Sequence, residues 1–198
     1  MKRVLLLIPQ GAEIYETGAF LDVLGWSSLE GREEFEVVTA GLQREVTCTF
    51  GLRLIPDVLV SDVREENFDA LAVPGGFEEY GFYQAAFSEP VGELIRAFDD
   101  STKPIASICV GALPLAHSGV LAGRCATTYH LGESRRRKQL AGYGVEVLDR
   151  SIVHDRNIVT STGPATAIEV AFALVETLTD RSNADHVRTL MGFDARKR

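Results

Sequence analysis

The segment Lys103-Pro-Ile-Ala-Ser-Ile-Cys-Val-Gly-Ala112 decides how this chain folds. A short apolar run, Ile105 to Ile108, reaches a single cysteine, Cys109, and a small-residue helical pattern, Val110 to Ala116, begins directly after it. A strand that stops at a cysteine and turns at once into a helix holds the sulfur on a sharp bend. The thiol then faces a crevice at the carboxyl edge of a sheet, against a helix N-terminus whose orphan N–H groups and dipole favour a thiolate. The same strand-nucleophile-helix logic presents the serine of hydrolase elbows. A free cysteine in an arbitrary context is more often a small buried hydrophobe, and the elbow context argues against that fate here.

Outward from this elbow, the chain alternates strand and helix. Val4–Ile8 is a continuous apolar run, as in a central parallel strand covered on both faces. Gly11-Ala-Glu13 turns the chain, and Ile14 to Leu29 has helical spacing. Phe35–Ala40 and Ala70–Val73 read as further strands, the latter closed by Pro74-Gly75-Gly76, and Gly51 to Ile55 has strand character. Pro90 to Asp99 reads as a helix with proline in its first turn, where the missing N–H costs nothing. Gly123 to Thr127 and Val145–Leu148 predict short strands around a helix over Glu133–Ala141. Ser151–His154 and Asn157–Ser161 predict a hairpin across Asp155-Arg156. Helices over Ala165–Leu178 and Asn183–Met191 close the chain. Repeated βα units of this kind imply an α/β fold, a mainly parallel sheet between two helix layers. Ligands in such folds bind beyond the carboxyl ends of the strands. Pro9-Gln10-Gly11, Pro74-Gly75-Gly76, Cys109 and Thr162-Gly163-Pro164 all lie there, so one crevice can collect them.

A length of 198 residues with 45% hydrophobic and 24% charged side chains fits one domain over residues 1–198. The formal net charge of -8 argues against a nucleic-acid partner. The one basic run, Arg135-Arg-Arg-Lys138, reads as the solvated face of a helix. Cys48, Cys109 and Cys125 show no CxxC spacing and an odd count, which argues against a disulfide framework or a metal site and fits a reducing cytoplasm. The apolar stretch Val4 to Pro9 is too short to span a membrane and lacks a small-residue cleavage site. It reads as a buried strand, and no membrane partner is expected.

Five pieces, in order and at compatible spacing, resemble the ThiJ/PfpI superfamily, and within it the branch of the human parkinsonism-associated protein deglycase. They are Gly11-Ala-Glu-Ile-Tyr-Glu-Thr17, Val73-Pro-Gly-Gly76, Ser107-Ile-Cys-Val-Gly111, Ala126-Thr-Thr128 and Thr160-Ser-Thr-Gly-Pro-Ala-Thr166. The resemblance implies a flavodoxin-like three-layer sandwich with Cys109 as nucleophile at its elbow. It places Glu16 beside that sulfur. Read alone, Glu16 is equally an acid in a helix first turn. As a partner it can give or take a proton as the thiol attacks, and the expected resting state is a thiolate beside a carboxylic acid. Gly75 and Gly76 match a loop that approaches the sulfur closely because it lacks Cβ atoms. The N–H groups of Gly76 and Val110 would then form an oxyanion hole.

The chain departs from the resemblance at one point. The family's histidine after the Thr-Thr pair is replaced by Tyr129, with His130 one place later. Either the phenol stands in for the imidazole or a shift brings His130 in. His117, His154 and His186 have no supporting context. Val110 follows the cysteine where protease-like relatives carry histidine, and no late His-x-Glu of a glutamine amidotransferase occurs. The resemblance thus implies a cofactor-free, metal-free cysteine enzyme acting on small carbonyl compounds. The alternative is a redox-sensing or chaperone-like stress protein whose Cys109 oxidises to a sulfinate. A homodimer is expected, with the helix after Gly11 and the region around Cys48 at its interface.

Overall fold

Val4, Leu5, Leu6 and Leu7 of strand β1 (Lys2–Leu7) are fully buried, as a strand covered on both faces requires. The computed structural model describes residues 1–132 and 135–193. On one side β1 pairs in parallel with β2 (Phe35–Gly41), on the other with β6 (Ala70–Val73). Between β2 and β6 in sequence lie β3 (Val46–Thr47), β4 (Arg53–Leu54) and β5 (Val58–Leu59). Strand β7 (Ile105–Ser107) lies beside β6, followed by β11 (Ile158–Ser161) and the antiparallel edge strand β10 (Ile152–Asp155). The seven-stranded order is β10-β11-β7-β6-β1-β2-β5.

The first helix, α1 (Ile14–Glu30), packs against α6 (Ala167–Leu178) and α7 (Arg181–Leu190). A second group contains α2 (Phe82–Ala86), α3 (Glu89–Asp100), α4 (Ala112–His117) and α5 (Arg135–Ala141). Helices therefore flank the sheet, giving the expected flavodoxin-like α/β sandwich. The chain winds outward from β1 to β5 and then crosses back to β6. The direction of winding thus reverses between β1 and β6, and a crevice opens there at the carboxyl ends.

Several short elements differ from the sequence expectation. The strand anticipated over residues 51–55 is shortened to β4. Ahead of it lies a tight turn, Thr49–Gly51, in which Phe50 has φ 59° and Gly51 φ 82°. Strand β4 pairs with β3 outside the main sheet, while β5 supplies the sheet edge. The anticipated strands near 125 and 146 are the two-residue β8 (Cys125–Ala126) and β9 (Glu146–Val147), paired in parallel with each other. The hairpin turns one residue later than expected, at Arg156 and Asn157, with Arg156 at φ 54°. The last helix starts earlier, because Asp180 caps it by accepting from the Asn183 N–H at 2.8 Å. Glu133 and Ser134, assigned to a helix from sequence, lie outside the described residues.

Candidate active site

Three adjacent strands deliver the site. β1 leads through Gly11 into the start of α1, β6 ends at Pro74-Gly75-Gly76, and β7 runs into Cys109. Glu13 caps α1, its Oε1 accepting from the Tyr15 N–H at 3.2 Å. One turn in, Glu16 is fully buried. The loop after β6 is tied to the start of α1 by Glu13 N–H to Gly75 O at 2.9 Å and Phe77 N–H to Gly11 O at 3.2 Å. This clamp fixes Gly75 and Gly76 against the carboxyl end of β7.

The bend at Cys109 is strained. Its φ of 57° lies in the left-handed region, which costs a non-glycine residue about 1–2 kcal/mol. Surrounding bonds hold it there: Ile108 N–H to Val73 O at 3.1 Å, and the Thr128 hydroxyl to Cys109 O at 2.8 Å. A tight turn over Cys109–Gly111 then feeds α4. Gly111 is required because a Cβ there would sit 2.7 Å from Val73 O and 2.8 Å from Pro74 O. Gly75 is required because its Cβ would lie 2.9 Å from both the Cys109 Cβ and Glu16 Oε2.

Glu16 Oε2 accepts from the Gly75 N–H at 2.6 Å, and the buried carboxyl also hydrogen-bonds with Cys109. Burial pushes the carboxyl up to about 8, with the Gly75 N–H and the Cys109 contact pulling the other way. The acid form is therefore favoured at neutral pH. The Cys109 thiol is pushed well above its ordinary range, first by burial and then by the charge of Glu16, against the pull of the Val110 N–H. That second contribution exists only while Glu16 is ionised, so the two groups hold and lose their protons as a pair. Gly75 donates to Glu16, and the Gly76 N–H makes no backbone hydrogen bond. The Val110 N–H points to the Cys109 sulfur.

Cys109, Glu16, Gly76 and Val110 all line a cavity of about 410 Å³. Tyr129 lines it too, whereas His130 is exposed and does not. A Cβ on Gly163 would lie 3.4 Å from the Tyr129 ring and 4.0 Å from the Cys109 sulfur, so ring and sulfur face one gap. Of the two readings of the Thr-Thr-Tyr-His stretch, the structure brings the phenol to the cavity.

Other lining residues were not evident from sequence. Glu13 is buried at the helix start, and its charge adds to the rise of both Glu16 and Cys109. Tyr83, from the unanticipated helix α2, has a phenol pushed up to about 12 by burial. Arg136 belongs to the basic run expected to be solvated, yet its guanidinium lies 4.5 Å over the Tyr83 ring and bonds Glu78 at 3.0 Å. Helical spacing puts only one member of such a run on the cavity side. The signal was present as charge, but its direction depended on packing.

Cys48 is fully buried, and burial pushes its thiol up to about 11. It is not a surface cysteine of this chain. Cys125 is partly exposed with its sulfur 3.5 Å from Glu146 Oε2, and all three cysteines are free. No group of metal-ligating side chains occurs among the described residues.

A single thiol raised at the switch point of an α/β sandwich marks the class of cysteine-elbow proteins. Within that class the chain belongs to the DJ-1/PfpI family, which it matches over residues 2–177. It is 31% identical over 188 residues to Protein dj-1beta of Drosophila melanogaster, covering 94% of each chain. The crystal structure of Drosophila melanogaster DJ-1beta superimposes with a TM-score of 0.85 at 29% identity, over 98% of both chains. A Caenorhabditis elegans protein named glutathione-independent glyoxalase DJR-1.2 is 34% identical over 176 residues, 88% of this chain and 87% of its own.

Proposed function

We propose that this chain converts small α-oxoaldehydes such as methylglyoxal into hydroxy acids by covalent catalysis at Cys109, without a cofactor. The observation that carries this reading is the buried Glu16 carboxyl beside a thiol on a strained bend, both lining one cavity. The name of the Caenorhabditis elegans relative supports the same chemistry.

Loss of one proton from the Cys109–Glu16 pair produces the reactive form. The sulfur attacks the aldehyde carbon, an S–C bond forms, and Glu16 gives its proton to the carbonyl oxygen. The N–H groups of Gly76 and Val110 stabilise the charge that develops on that oxygen. The Glu16 carboxylate then removes the hydrogen of the hemithioacetal carbon and returns a proton to the neighbouring carbon. This leaves a thioester, which water cleaves to the hydroxy acid and free thiol. Methylglyoxal and one water become lactate, with no net oxidation. Tyr129 donates a hydrogen bond to the intermediate.

The test is lactate formation from methylglyoxal by the purified protein in the absence of glutathione, followed by NMR. Wild type should form lactate and Cys109→Ala should form none. Equal conversion by both, or none by either, overturns the reading.

One feature favours a second reading. The Val110 N–H and a protonated Glu16 also suit a sulfinate on Cys109, formed by peroxide in a reducing cytoplasm. A chain that gains two oxygen atoms at Cys109 in mild peroxide, yet leaves the aldehyde untouched, would serve as a sensor instead. Among the described residues no helix is long and apolar enough to cross a membrane. Exposed Tyr15, Phe50, Leu52 and Ile55, on α1 and around β4, support a homodimer through that face. Light scattering should then give twice the 21.6 kDa chain mass, and a monomer at micromolar concentration removes this part.

A further inference from the structure

We infer that the cavity selects α-oxoaldehydes carrying a flat aromatic substituent over the smallest members of the class. This rests on the carbonyl-enzyme reading and deepens it. The cavity holds about 410 Å³. A cleft of this size takes ligands larger than methylglyoxal, which has only five non-hydrogen atoms. A phenyl-substituted oxoaldehyde has ten and reaches further along the walls.

The lining is divided to match. Cys109, Glu16 and the donors of Gly76 and Val110 lie together, so the polar reacting end of a ligand has one place to go. Elsewhere the walls are the rings of Phe77, Tyr83 and Tyr129, with Leu131 and Pro164. Three rings around one gap favour a planar ring, through edge and face contacts that an aliphatic chain does not make.

The charges argue against an anionic substituent. Arg136 is the cation on the cavity, and its terminal nitrogens already donate to Glu78 at 3.0 Å and Gln139 at 3.1 Å. Its face rests on Tyr83, which holds that ring in place as a wall. Glu13, Glu78 and Glu79 also line the cavity, against one arginine, Arg136, and this acidic balance disfavours a carboxylate. An uncharged aromatic group meets no such barrier.

Alkylation of Cys109 reads this preference without needing turnover. Phenacyl bromide and bromoacetone both transfer a carbonyl-bearing carbon to sulfur and release bromide. They differ in phenyl against methyl. Each second-order rate at Cys109, located by mass spectrometry, is divided by the rate of the same reagent with N-acetylcysteine. The normalised rate for phenacyl bromide should exceed that for bromoacetone about tenfold or more, in line with the discrimination available to apolar pockets. Leu131 is 59% exposed, so Leu131→Trp should fold. It narrows the cavity and should bring the ratio of the two normalised rates down to about one. In turnover, kcat/KM for phenylglyoxal should exceed that for methylglyoxal by a similar factor. An equal or lower normalised rate for phenacyl bromide overturns the inference whatever the turnover shows. Strong phenacyl preference with no turnover of either aldehyde instead overturns the carbonyl-enzyme reading and leaves the ring preference of the cavity standing.

Discussion

Glu16 is a buried carboxyl beside a sulfur, and in the proposed mechanism its protonation sets when the site is reactive. With the carboxyl raised to about 8 by burial, kcat/KM for methylglyoxal should rise with pH and level off above about 8. No limb near the ordinary imidazole value of about 6.5 is expected, because His130 is exposed and off the cavity. Glu16→Gln keeps a donor but not the exchangeable proton. It should lose the limb near 8 and about 10²–10⁴-fold in rate. A profile that breaks near 6.5 and collapses in His130→Ala would instead put the imidazole in the mechanism. Cys109 was legible from its place at a strand end, and Glu16 through the resemblance. The burial that raises the Glu16 carboxyl was not legible, because it comes from neighbours that are distant in the chain.

At the level of the element, the bend after β7 is held by contacts from other segments. The Thr128 hydroxyl donates to Cys109 O at 2.8 Å across 19 residues. Thr128→Val keeps the shape and removes the donor, so the carbonyl loses a buried hydrogen bond. It should cost about 1–3 kcal/mol in urea unfolding and lower kcat/KM for methylglyoxal severalfold by loosening the sulfur. Unchanged stability and unchanged rate would show that the bend does not need this bond. Long elements such as β1, α1 and α6 were readable because their apolar spacing repeats over several turns or pleats. Short ones were not. β5 pairs with β2 at only two positions, Val58 and Leu59, and α2 spans only Phe82–Ala86. Their conformation is decided by what they pack on, and α2 brings Tyr83 to the cavity.

Across the whole molecule, the cost of keeping Glu16 buried appears as a pH dependence of stability. The ordinary carboxyl value is 4.5 and the folded value is about 8, so between these the folded chain binds more protons than the unfolded one. The stability associated with this proton is fully present below 4.5 and is lost as pH rises to about 8. Glu16→Gln has no such proton. The stability difference should therefore shift toward the variant by a few kcal/mol between those limits and stay level above them. Urea unfolding at about pH 5, 7 and 8.5 measures it, and a difference that does not change with pH would show that Glu16 is not held protonated by the fold. The Cys109 thiol, raised from a higher starting value, acts only at more alkaline pH.

The sequence by itself determined the alternation of strand and helix, the lone cysteine at a strand end, and the glycines that let β6 and β7 loops meet. These are local facts, set by spacing and by side-chain size over a few residues. Only the tertiary structure decided that Tyr129 rather than His130 reaches the cavity. It alone turned Arg136 toward Tyr83 and Glu78, and it alone buried Cys48. The physical reason is shared by all three. Which way a side chain points, and how dry its surroundings are, depends on segments brought together by the sheet order, and that order is a property of the folded chain.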